Sequence, residues 1–177
     1  QFMIHSLIYR TELLREIPLA LPKHTFYEDN LYIYQPLPYT KSVYYLDEPL
    51  YGYFIGRADQ SIAEENILRR LDQISLMTEK VATCYTYAQL KALPKSLCGY
   101  MLNNCAGLLA TTSALQYIKG TEESLAMNRH MWQVIRDFDE TLYLKLRRNP
   151  LGRASALPGK AGRSTLVGGY RFVRKII

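Results

Sequence analysis

The sequence predicts a mainly α-helical chain with a small β element near its start, and three observations carry that expectation. Between residues 63 and 148, apolar side chains recur at three- and four-residue spacing over three long stretches, the pattern of amphipathic helices. Ahead of them, residues 42–46 and 50–54 are short β-branched or aromatic runs on either side of Asp47-Glu48-Pro49, which reads as two strands around a turn. With 177 residues, 48% of them hydrophobic, the chain can bury one sizeable core, so a folded, soluble protein of one domain, or one domain with an appendage, is expected.

Taken in order, residues 2–9 suit a buried strand or extended segment. Thr11 offers an N-cap oxygen to a short helix through Leu13, Leu14 and Ile17, which Pro18 stops. A loop containing Pro22 delivers the chain to Phe26-Tyr27-Glu28-Asp29, and residues 30–35 form two helical turns before Pro36 and Pro38 break them. Gly56 permits a sharp turn after the second strand. From residue 63 to about residue 87, Ile67, Leu68, Leu71, Ile74 and Met77 line one face of a helix. A second helix starts near Pro94 and ends near Gly120, and a third starts at Thr121 and runs through Leu146 to Pro150. Residues 152–169 are rich in Gly, Pro, Ser and basic residues and are expected to be mobile, ahead of a short basic amphipathic segment at 170–177. The expected organisation is therefore 1–62, 63–149 as a three-helix region, and a basic flexible tail at 150–177.

The net charge of +6 hides an asymmetry. Residues 1–66 carry five basic and nine acidic side chains, residues 67–177 seventeen and seven, and residues 141–177 nine basic and none acidic. Such a tail favours an anionic surface, a membrane leaflet or nucleic acid, and is otherwise a solvated basic end. It has few aromatics for base stacking and no recognition helix, so no nucleic acid is expected and an anionic membrane surface is the preferred partner. Cys84, Cys98 and Cys105 have no zinc-site spacing and read as reduced, mostly buried thiols of a cytoplasmic protein. Fifteen Tyr against one Trp suit the walls of a sugar or nucleotide site, and ordinary Tyr packing explains much of the excess too. No signal peptide is visible, and no run of residues is long and apolar enough to span a bilayer. The chain opens on Gln1 inside an apolar run and reads as cut from a longer polypeptide.

The residues that point to chemistry are Glu28 and Asp29, adjacent carboxylates at a helix start, with Arg57 twenty-eight positions later on a turn that continues into Gln60 and Ser61. A carboxylate base and a cation on a departing anion suit a group transfer, whereas acidic residues at a helix start also simply suit the helix dipole. The ordered segments Tyr9-Arg10-Thr11-Glu12-Leu13-Leu14, Leu21-Pro22-Lys23-His24-Thr25-Phe26-Tyr27-Glu28-Asp29-Asn30, Tyr44-Tyr45-Leu46, Leu50-Tyr51-Gly52-Tyr53-Phe54 and Ile55-Gly56-Arg57-Ala58-Asp59-Gln60-Ser61 resemble the latter half of family 2 glycosyltransferases, over about residues 5–75.

That resemblance implies the C-terminal, acceptor-side portion of a GT-A type α/β fold followed by a helical bundle, and an enzyme that moves a sugar with inversion from a nucleotide-diphosphate sugar to a saccharide or lipid-linked acceptor. It implies Asp29 as the base on the acceptor hydroxyl, Glu28 as its neighbouring acid, Arg57 on the diphosphate, and Gln60 and Ser61 on phosphate or sugar oxygens. His24 faces the acceptor or is an idle loop histidine. A like charge beside Asp29 is expected to raise the pair's pKa values. Manganese or magnesium is implied for the intact enzyme and none for this piece, because Asp137-Phe138-Asp139, the one Asp-x-Asp match, falls on a helix and reads as a solvated face. The implied setting is bacterial cell-surface or extracellular polysaccharide synthesis, in the cytoplasm and peripheral on the inner face of the membrane, with room for homo-oligomers. Without a glycine-rich phosphate loop, the piece alone is expected to be inactive. The alternative is a non-enzymatic helical binding module or scaffold, its basic tail contacting nucleic acid or a protein partner.

Overall fold

The computed structural model describes residues 2–49, 51–52, 54, 63–155 and 159–176. Among them the chain forms ten α-helices and two single 3-10 turns, and no strand. The protein is mainly α. Residues 42–46 have no ladder partner among the described residues, with Val43, Tyr44 and Tyr45 largely in solvent, while part of the second run lies outside the described residues. β-Branched and aromatic side chains favour extended backbone, but a strand also needs a neighbouring edge. Residues 2–9 differ from expectation as well: Ile4–Ser6 is a 3-10 turn and Ile8 is 86% exposed.

Helix α1 (Thr11–Glu16) takes Arg10, not Thr11, as its N-cap. Helix α2 (Asp29–Tyr34) buries Leu31, Ile33 and Tyr34, and the Tyr85 hydroxyl donates to the Gln35 carbonyl at its end, 2.6 Å. The helix expected from residue 63 is interrupted at Arg70, whose φ of −114° and ψ of 33° separate α3 (Glu64–Arg69) from α4 (Leu71–Ala82). A separate α5 (Tyr87–Lys91) begins on a Thr86/Gln89 capping box.

Helix α6 (Lys95–Lys119) starts after Pro94 and ends on Gly120, whose φ of +64° only glycine adopts freely. Buried residues occur around much of its circumference, so it is the central helix, with α4, α7 (Glu122–Phe138), α9 (Pro150–Ser155) and α10 (Gly159–Ile176) packed around it. Thr121 caps α7 as expected, its hydroxyl accepting from Ser124 N–H. The third expected helix breaks at Asp139, whose carboxylate accepts from Leu142 N–H at 2.9 Å and from Tyr87 N–H at 2.7 Å. That half-buried side chain caps α8 (Glu140–Arg148) and anchors the start of α5, a structural duty rather than a solvated helix face.

Residues 152–169, expected to be mobile, belong largely to α9 and α10. Pro150 opens α9 instead of merely ending α8, the position where a missing N–H costs nothing. A Cβ on Gly152 would stand 1.8 Å from the Leu146 carbonyl oxygen, so only glycine lets α9 fold back on α8. Leu166 of α10 is buried against Ala110 and Ala114 of α6.

The core joins Met101, Leu109, Met131, Ile135, Leu142 and Leu146, each almost wholly buried. Beside it runs a buried polar network. Gln116 Nε2 donates to Ser75 Oγ (3.0 Å), Asn128 Nδ2 donates to Gln116 Oε1 (2.7 Å) and Ser113 Oγ (3.0 Å), and Tyr117 OH donates to Asn128 Oδ1 (3.1 Å). Thr78 and Thr112 share a hydroxyl contact of 2.8 Å. Every member has a partner, which is what makes such burial tolerable. The three cysteines are free thiols; burial pushes Cys84 up to about 11 and Cys105 up to about 12, which keeps both unreactive.

Candidate functional site

The loop that carries Glu28 and Asp29 is held in an uncommon backbone conformation. His24 has φ of +54° and Tyr27 φ of +70°, and neither is a glycine. Left-handed backbone at two such residues in one loop costs on the order of 1 kcal/mol or more apiece and persists only where surrounding contacts impose it. Those contacts come from residues 40 and more positions later in the chain, around the α3–α4 junction. Gln73 of α4 accepts from Phe26 N–H at 2.8 Å, and the Arg70 guanidinium lies 3.7 Å above the Phe26 ring. Tyr27 packs against the cluster of Ile67, Leu71, Ile74 and Leu115.

This clamp explains the break at Arg70, since leaving helical backbone there places its side chain over the loop. One guanidinium nitrogen of Arg70, Nη1, is buried with no hydrogen-bond partner among the described residues. Burial raises the Tyr27 hydroxyl above its ordinary value, and the neighbouring Arg70 cation works against that rise.

Asp29 opens α2, half-buried, with Glu28 at the N-cap position. Its Oδ1 accepts from Asn30 N–H (2.9 Å) and from Asn30 Nδ2 (3.1 Å), and Asn30 Nδ2 also donates to the Tyr27 carbonyl (3.0 Å). Burial holds the Asp29 carboxyl above the usual carboxylate range; the Asn30 N–H bond opposes this, and the charge of Glu28 adds a smaller push upward. The neighbouring charge expected from the sequence therefore acts in the expected direction, with desolvation the larger cause. Such a carboxylate binds a proton more firmly than a solvated one, a property suited to a general base.

The structure brings Glu28 and Asp29 together on one loop. His24 is exposed on the same loop, and no hydrogen bond joins it to either carboxylate. Arg57, Gln60 and Ser61 lie outside the described residues. Arg70 and Gln73 were not legible as site residues, because the apolar period runs unbroken through them and a basic or amide residue there reads as solvated.

Among the described residues no group of three or more His, Cys, Asp and Glu side chains is placed to hold a metal ion, so the divalent cation implied by the resemblance finds no ligand set among them. Among the described residues, too, no helix is long and apolar enough to cross a membrane. No protein-family model, curated protein or solved structure matches this chain.

Proposed function

We propose that this chain is the acceptor-side end of an inverting, family 2 type glycosyltransferase of GT-A fold, with a helical C-terminal region. It works in the bacterial cytoplasm on cell-surface or extracellular polysaccharide. The observation that carries the reading is a half-buried carboxylate of raised proton affinity, Asp29, on a loop whose backbone is forced left-handed at His24 and Tyr27.

In the reaction, an acceptor hydroxyl oxygen attacks the anomeric carbon of a nucleotide-diphosphate sugar and its proton passes to the Asp29 carboxylate. The bond to the diphosphate oxygen breaks, and that oxygen leaves with the electron pair. Glu28 orients the acceptor and the loop, His24 faces the acceptor, and Arg57, Gln60 and Ser61 lie on the diphosphate and sugar oxygens. The nucleotide and its manganese or magnesium belong to a half of the enzyme outside this chain, and the chain by itself does not turn over.

The test uses the polypeptide that joins this chain to a nucleotide-sugar-binding half. Asp29→Asn is expected to lower transfer by about 10²–10⁴-fold while leaving donor binding in place. The acidic limb of the rate profile of the unsubstituted enzyme should fall above the ordinary carboxylate range. Unchanged transfer by the variant removes Asp29 from the mechanism.

A second reading, a non-enzymatic helical module, is favoured by one observation: Asp29 Oδ1 already accepts both Asn30 donors, as a plain helix-start aspartate does. In that reading Asp29→Asn changes no activity, because there is none to change.

A further inference from the structure

Helices α8, α9 and α10 lie in contact in sequence, and α9 and α10 both rest on α6. From residue 141 to the end of the chain there is no acidic side chain to offset nine basic ones. Arg148, Arg153, Lys160, Arg163 and Arg171 are exposed on these helices, and Leu151, Phe172 and Val173 are exposed among them. Arg174 is engaged by Glu64 at 3.5 Å, so it is not counted with them.

The helical register separates the two jobs of α10. Gly162, Leu166 and Tyr170, four residues apart, form the stripe seated on the body. At about 100° per residue, Lys160, Arg171 and Phe172 fall on the side away from Leu166. Val173, seven residues beyond Leu166, returns to its side, so Phe172 is the apolar group that faces outward beside the cations, matched by a surface that is anionic outside and hydrocarbon just beneath. Nucleic acid offers the charge but no hydrocarbon for Leu151, which has no ring to stack on a base.

We propose that the outer surface of α8–α10 docks on an anionic lipid bilayer, the cations meeting headgroup phosphates and Phe172 and Leu151 entering the acyl boundary, with the protein lying on the membrane rather than spanning it. The proposal stands whether or not the chain serves sugar transfer.

The test is co-sedimentation of the chain with vesicles of phosphatidylcholine alone and of an equimolar phosphatidylcholine and phosphatidylglycerol mixture, at low and at high salt. Binding to the mixed vesicles only, weakened by salt, is expected. Each cation removed should weaken it about fivefold, so Arg153→Gln with Arg171→Gln should lose roughly 25-fold. Phe172→Ser should lose part of the binding that survives high salt. All three positions are exposed, so far-ultraviolet circular dichroism should not change; if a variant unfolds, the lipid and salt dependence of the unsubstituted chain decides alone. Equal binding to neutral vesicles, no binding to the mixed ones at low salt, or unchanged binding by the folded arginine variant overturns the proposal. Tighter binding to a single-stranded oligonucleotide than to mixed vesicles at equal anionic charge overturns it in favour of a nucleic-acid surface.

Discussion

The helical body around α6 and the segment that precedes it place polar and apolar groups in opposite ways. In the body, the amides and hydroxyls of Ser75, Ser113, Gln116 and Asn128 are buried and matched to one another across three helices. In the segment, apolar side chains face water instead: Tyr44 is 88% and Ile8 86% exposed. The same segment keeps left-handed backbone at two non-glycine residues and half-buries an aspartate whose charge the surroundings disfavour. A buried network whose members are matched to one another is built for stability; a segment that leaves strain, charge and apolar surface unmet is where function is sought. Variants of the two regions should therefore fail differently.

The largest effect is expected at Gly152. Alanine there would bring its Cβ against the Leu146 carbonyl, backbone that cannot swing aside as a side chain would. Gly152→Ala should cost about 3 kcal/mol or more, the upper end of overpacking penalties. For a chain of this size that is a fall in Tm of about 6–12 °C, read by circular dichroism. A variant as stable as the parent would mean that α9 does not fold back on α8, and the contrast between a close-packed body and a looser segment would lose its C-terminal part.

Next come the network residues. Gln116→Leu and Asn128→Leu should each cost about 2–3 kcal/mol, because each leaves a buried partner without its hydrogen bond. The double variant removes both ends of their shared bond and should cost clearly less than the sum, a coupling that urea denaturation of the four proteins measures. Additive losses would show that the two amides act separately and that the body is not held by a connected network.

Why the body was largely legible and the segment was not follows from the same contrast. Pro94, Gly120 and Thr121 announce α6 and the start of α7 because helix ends are set by local backbone chemistry. The break at Arg70 left no mark, since it is imposed from a distance by the Phe26–Tyr27 loop, whereas Asp139 carries a local N-cap signal that the apolar period running through it hides. Glycine-rich α10 reads as mobile because glycine weakens a helix by about 1 kcal/mol relative to alanine, a term outweighed by its seat on α6. Residues 42–46 carry strand-forming side chains, yet no described segment offers them an edge. At the candidate site the Glu28-Asp29 pair could be read directly. The positive φ of His24 and Tyr27 could not, because neither residue type signals it.

The smallest effect is the one that separates the two readings of Asp29. Its pKa is raised in the folded chain, so its contribution to stability is full below the unfolded value of about 3.9 and is lost as pH rises through the folded value. At neutral pH the ionised carboxylate thus works against folding, and an uncharged side chain of the same shape that still accepts the Asn30 bonds should remove that cost. Asp29→Asn is expected to melt slightly higher than the parent at pH 7, with the difference vanishing as the pH falls below the ordinary carboxylate range. If Asp29 is simply a helix-start residue, its negative charge at the positive end of α2 stabilises the fold, and the same substitution lowers Tm by an amount that disappears in acid. The sign of one small shift, measured by calorimetry at the two pH values, decides whether this carboxylate is held for the benefit of the fold or against it.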